Sequence, residues 1–245
     1  MNERNSYPRG RPPWGFVDIA VIFALLFLFS VFFAAFGLPL ANLVLRLLPG
    51  SGGIEEAVLL AGGFLQSFLM ILLILVSAWI RKAPLSALGF GNFSWKNLLL
   101  YGIIGGMGVF LMVTVIMSLL ISLLPAPPQP QPVAEMILKA KDWRQIFPLL
   151  LLVGVFAPVS EEMFFRGFIY PVLRSRLGVV WGITAVACLF GLIHFDLVRF
   201  IPLALGGACL AAFCEKSKSI YPAVAAHSIW NTVMTLLVVV YNMTL

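Results

Sequence analysis

IFPLLLLVGVFAPVSEEMFFRGFIYPVLRS, residues 146–175, decides how the whole chain is read. It is a run of Leu, Val, Phe and Ile long enough to cross a bilayer, which takes about 20 mostly apolar residues. Yet Glu161, Glu162 and Arg166 stand within it. A charge at mid-bilayer costs about 2.5–3.5 kcal/mol even on the lenient insertion scale. The stretch is therefore a span whose charges must face a protein interior or a wet cavity.

The rest of the chain has the same character. Of 245 residues, 61% are hydrophobic and 11% charged, and the mean hydropathy is +1.03. An ordinary soluble domain carries roughly 25% charged residues. A chain this apolar cannot cover its own surface with polar groups, so the bilayer is its solvent. The fold class is all-α: a polytopic membrane helical bundle of about seven transmembrane helices, with a count of six to eight. The spans fall at roughly 15–36, 57–80, 98–124, 146–175, 179–195, 199–214 and 220–242. LPLANLVLRLLPG (38–50) reads as a continuation of the first span or a short interfacial piece.

Four regions follow from this reading. Residues 1–14 are a polar, Pro-rich cytoplasmic tail, and the first apolar run behind it lacks a small-residue cleavage site, so it is a retained span. Residues 15–124 hold the N-terminal spans. Residues 125–145 begin with PAPPQPQP, a stiff stretch that cannot be a regular helix. Val133, Met136, Ile137, Ala140 and Trp143 then recur at helical spacing, which predicts an amphipathic helix lying on the outer membrane surface. Residues 146–242 form the C-terminal transmembrane core, which holds the charged stretch. Gly102 and Gly106 make a GxxxG packing signal.

The net charge of +6 needs no nucleic-acid partner, because no basic block is interleaved with aromatics. Placing the N-terminus in the cytoplasm puts Arg4, Arg9, Arg11, Arg81, Lys82, Lys96, Arg174, Arg176, Lys216 and Lys218 on that side. Arg46, Lys139, Lys141, Arg144 and Arg199 fall opposite, a two-to-one bias that favours N-in by the positive-inside rule. The lipid bilayer is thus the first partner. Cys188, Cys209 and Cys214 sit in or beside apolar runs without metal-ligand spacing, and read as packing.

Glu162 and Arg166 are one helical turn apart and can pair. Glu161 points about 100° away, and no neighbour in sequence neutralises it. Desolvation moves such a carboxylate toward the range useful to a general base. Both histidines also lie in apolar spans: Phe190 precedes His194 by four residues, and His227 precedes Asn231 by four. If the three faces converge, the pocket has the parts for amide hydrolysis. Glu161, assisted by His194, activates water, while His227 and Asn231 offer N–H groups to the oxyanion.

EEMFFR (161–166), FGLIH (190–194) and HSIWN (227–231) match EExxxR, FxxxH and HxxxN in that order on late spans. Over about residues 145–235 the chain resembles the CAAX-protease and bacteriocin-processing (Abi, CPBP) family of intramembrane glutamic endopeptidases, which includes the type II CAAX prenyl proteases. The resemblance implies that Glu161 activates water together with His194, that His227 and Asn231 form the oxyanion hole, and that Glu162 and Arg166 shape the site. It implies no cofactor, and a peptide or protein substrate, prenylated in the CAAX branch, arriving from the cytoplasm or the lipid. The chain ends soon after the HxxxN span, without the further span some CAAX proteases carry, which bears on prenyl specificity. Other readings of the same residues are a zinc protease with Glu161, Glu162, His194 or His227 as ligands, although HExxH is absent, and a self-immunity or scaffold protein. A transporter is disfavoured by the lack of an internal repeat.

Overall fold

The computed structural model describes residue 7 and residues 10–47, 53–91, 93–140 and 142–243. Arg4, Arg9 and Lys141, three of the charges used for orientation, lie outside the described residues. Among the described residues all regular structure is helical. The helices are α1 (Phe16–Phe36), α2 (Leu38–Leu47), α3 (Ile54–Ile80), α4 (Trp95–Ser122), α5 (Pro132–Lys139), a long stretch Trp143–Leu192, and then Leu197–Ser217 and Tyr221–Met243. Six stretches have the length and apolarity to cross a membrane, the last counted over Tyr221–Tyr241. The chain is a polytopic helical bundle. Leu38–Leu47 does not continue the first span: α2 is a separate helix packed on α3, and the rest of the stretch, 48–50, lies outside the described residues.

The 50-residue stretch Trp143–Leu192 contains the two spans that the sequence places at 146–175 and 179–195. It folds on itself at Gly178, whose φ of 80° and ψ of −178° belong to a region essentially reserved for glycine. A Cβ built on Gly182 lies 3.0 Å from the Arg174 Cα, and the Phe165 and Phe190 rings are 5.3 Å apart. In a straight helix those two phenylalanines would be about 37 Å apart. The stretch is a helical hairpin, α6 (residues 143–177) against α7 (residues 179–192). Helix α7 is only about 21 Å long at 1.5 Å per residue, short of the ~30 Å hydrocarbon core. The remaining helices are α8 (Leu197–Ser217) and α9 (Tyr221–Met243).

The hairpin is the centre of the bundle. Half of its most apolar window is buried, against 17–33% for the other spans. Phe164, Phe165, Phe168 and Tyr170 of α6 and Phe190 of α7 are all inaccessible or nearly so. Helix α9 packs along α4, where Cβ atoms built on Gly102 and Gly106 would come within 3.0 Å of the Ala225 Cβ and 2.8 Å of the Ala226 Cα. The GxxxG thus docks the helix that carries His227 and Asn231.

The apolar face of α5 is covered by protein. Met136, Ile137 and Ala140 are buried in a cluster with Leu60, Ile146, Leu149, Leu152 and Val239. Trp143, counted on the same face, belongs to the start of α6 and is exposed. Burying those side chains against α3, α6 and α9 satisfies the same hydrophobic drive that a membrane interface would.

Candidate active site

The local shape of α6 sets the site. Segments Leu152–Phe156 and Met163–Ile169 are π-helical, and between them lies the α-helical Ala157–Glu162. Two prolines explain what these wide turns leave exposed. The Ala157 N–H bonds the Leu152 carbonyl five residues back, and the Tyr170 N–H bonds the Phe165 carbonyl in the same way. The next donors in each ladder would come from Pro158 and Pro171, which have no N–H. The carbonyls of Val153 and Arg166 therefore lack backbone donors, and a buried acceptor left unpaired is costly. Each is met by a distant side chain: Asn231 Nδ2 donates to the Val153 oxygen at 3.1 Å, and the Tyr7 hydroxyl donates to the Arg166 oxygen at 3.0 Å. π-Turns inside α-helices are frequent at functional sites.

Within this frame Glu162 and Arg166 pair at 2.6 Å with both side chains fully buried. A second guanidinium nitrogen donates to the Gly207 carbonyl at 2.9 Å, and the guanidinium carbon lies 4.7 Å from the Phe190 ring centroid. That fork and stack use what distinguishes arginine from lysine. His227 Nδ1 contacts the same Glu162 Oε1 at 2.8 Å. Because that oxygen is an acceptor shared with Arg166, the proton belongs on Nδ1 of His227. Its Nε2 then faces Glu161, 3.9 Å from Oε2. Glu161 is the less enclosed carboxylate, with 22% of its side chain exposed against none for Glu162.

His194 lies just past the end of α7 and is half-buried. Its Nδ1 is 2.7 Å from the Phe190 carbonyl, which can only accept, so Nδ1 carries the proton and Nε2 is the lone pair. The rings of His194 and His227 lie 5.1 Å and 5.6 Å from that of Phe190. The three motifs are thus drawn around one aromatic ring. Asn231 is turned to the Val153 carbonyl, spending one of its two amide hydrogens there.

Two features escape a reading by spacing. His227 bridges the two glutamates, a contact across helices 65 residues apart. Tyr7 lies 159 residues from its partner, and Pro171 was the one signal that a carbonyl near 166 wanted a donor. Among the described residues no group of three or more His, Cys, Asp or Glu is placed to hold a metal ion. The Glu162 Oε1 and His227 Nδ1 atoms are turned toward each other and Arg166. The cysteines are free thiols, with Cys214 buried.

A family model described as "Type II CAAX prenyl endopeptidase Rce1-like" matches residues 143–233. A protein of Bacillus subtilis (strain 168) named "Putative membrane peptidase YdiL" is 26% identical over 97 residues, 39% of this chain and 40% of that one. The chain therefore spans less than half the length of the relative it matches. No solved structure matches. Glu161, Glu162, Arg166, His194, His227 and Asn231 all lie inside the segment, residues 143–233, that matches the type II CAAX prenyl endopeptidase Rce1-like model.

Proposed function

We propose that the chain is an intramembrane endopeptidase whose Glu161 activates the water that attacks a peptide carbonyl. The observation that carries this reading is the pairing of unequal carboxylates. Glu162 is locked by Arg166 and His227, while Glu161 is left partly exposed beside His227 Nε2. Glu161 takes a proton from water as the oxygen adds to the carbonyl carbon, with the Nε2 lone pair of His194 as the assisting acceptor. Passing that proton across the short gap to His227 Nε2 turns the imidazole into a donor. It then faces the oxyanion, with the second hydrogen of Asn231 as its partner. Collapse of the tetrahedral intermediate breaks the C–N bond, and the proton on the imidazole goes to the leaving amine. Glu162 keeps the imidazole oriented throughout, much as a buried carboxylate orients histidine in serine proteases. No step requires a metal ion.

The family points to a prenylated, CAAX-type peptide as the substrate class. The test uses purified protein in nanodiscs with a farnesylated CAAX peptide and mass spectrometry of the products. Wild type is expected to release the terminal tripeptide, and Glu161→Gln to lose at least a hundredfold in rate, the scale set by general acid–base catalysis at ~10²–10⁴-fold. Equal cleavage by both proteins would remove Glu161 from the role of base. A chelator followed by zinc restoration completes the comparison: activity lost and then regained with metal would replace this mechanism.

A further inference from the structure

Tyr7 belongs to none of the three motifs, yet its side chain reaches the middle of them. The ring is 94% buried, with 6% relative exposure, and lies against Gly89, where a Cβ would stand 3.0 Å from the Tyr7 Cε1. Gly89 also has a φ of 90°, so a side chain there would be strained as well as crowded. Trp14 anchors the tail a second time: its Nε1 donates to the Phe168 carbonyl at 2.8 Å, and its ring stacks on Phe168 at 4.8 Å with a 6° interplanar angle.

We propose that Tyr7 is a positioning residue of the site. Its hydroxyl caps the carbonyl that Pro171 leaves without a donor, and this fixes the backbone from which Arg166 holds Glu162 and His227. The path is short and continuous. Tyr7 Oη meets Arg166 O at 3.0 Å, Arg166 meets Glu162 Oε1 at 2.6 Å, and the same oxygen meets His227 Nδ1 at 2.8 Å. Without the hydroxyl, the π-turn has a buried acceptor to satisfy, and it can do so only by rewinding. That would displace the Arg166 Cα relative to Glu162. The effect on turnover rests on the peptidase reading; the effect on the cluster does not.

The experiment compares the full chain, Tyr7→Phe, Pro171→Ala and the double variant in nanodiscs. The chain has two histidines, so ring-¹⁵N-labelled histidine gives one signature for each. Without substrate, Tyr7→Phe is expected to move the His227 ring-nitrogen resonances and leave those of His194 in place. Pro171→Ala supplies an N–H that can reach the Arg166 carbonyl, so the double variant is expected to return the His227 signature to its original position. With the farnesylated peptide, kcat is expected to fall about tenfold in Tyr7→Phe, with KM within about twofold, as loss of one buried capping bond implies. The double variant is expected to recover it. An unmoved His227 signature in Tyr7→Phe would overturn the proposal, as would a defect that the second substitution fails to rescue. Loss of both histidine signatures, unrelieved in the double variant, would also overturn it by showing a general structural role. A wild type that cleaves nothing would sink the peptidase reading while the resonances still decide the fate of the clamp.

Discussion

Arg166 concentrates the residue-scale physics of the site. A buried ion pair adds little net stability, because desolvation offsets the attraction, but removing one partner strands the other. Arg166→Met should therefore cost about 3–5 kcal/mol of unfolding free energy, measured as a shift in the denaturant midpoint in detergent. Adding Glu162→Gln should recover most of that loss, since no lone charge then remains in the core. If the double variant is as unstable as the single, the stabilising role lies in the guanidinium's contacts with Gly207 and Phe190 instead. At this scale the sequence showed what lies along one helix. The Glu162–Arg166 spacing and the unmatched Glu161 follow from i, i+4 geometry. Spacing says nothing about which atoms meet across helices. The turn of His227 Nδ1 toward Glu162, and of Asn231 toward Val153, depends on packing and on the donors that Pro158 and Pro171 withhold.

At the scale of elements, the apolar runs were legible because hydrocarbon thickness imposes a minimum length on any helix that crosses it. The hairpin was legible only as two adjoining spans. The sequence marks its turn by a single glycine, and nothing in composition shows that α7 doubles back along α6 to bring Phe190 onto Arg166. Helix α5 was legible in its periodicity, but the protein cluster on its apolar face was not, because an apolar stripe does not say what covers it. The GxxxG in α4 was readable as a packing signal, and the structure gives that signal a functional address. A Cβ at Gly106 would meet the Ala226 backbone, its Cα at 2.8 Å and its oxygen at 3.0 Å, one residue before His227. Backbone cannot swing aside as a side chain can, so α9 itself must shift. Gly106→Ala is expected to destabilise by about 1–3 kcal/mol, as overpacking does, and to lower peptide cleavage in step. Gly108→Ala, two residues on and facing open space, is the control and should leave both nearly unchanged. If the two variants behave alike, the close approach of α4 and α9 does not position His227.

For the molecule as a whole, the contacts themselves show which helix ends share a face. Asp18 at the start of α1 meets Arg81 beyond α3 at 2.9 Å, Arg176 of α6 lies 4.3 Å over the Phe16 ring, and Arg174 meets Glu215 of α8 at 2.7 Å. The Ile220 N–H, beside the start of α9, bonds the Gly89 carbonyl at 3.3 Å. On the other face Arg199 donates to Gln129 of the Pro-rich stretch at 3.0 Å and pairs with Asp196. Among the described residues the first face carries Arg11, Arg81, Lys82, Lys96, Arg174, Arg176, Lys216 and Lys218, and the second Arg46, Lys139, Arg144 and Arg199. That is again a two-to-one ratio, and on the positive-inside rule we propose that the first face is cytoplasmic. In intact cells a membrane-impermeant maleimide should label Lys139→Cys at once, and Lys82→Cys only after permeabilisation. The unsubstituted chain, whose thiols lie within the spans, should stay unlabelled. The opposite order would invert the molecule and everything inferred about access to it. His227 is six residues into α9, about 9 Å along the helix from its start, so the orientation decides which compartment the exposed side of Glu161 serves. On the proposed reading, a cytoplasmic face would give Glu161 access to lipid-anchored peptide ends presented there, with the Tyr7 clamp on the same side.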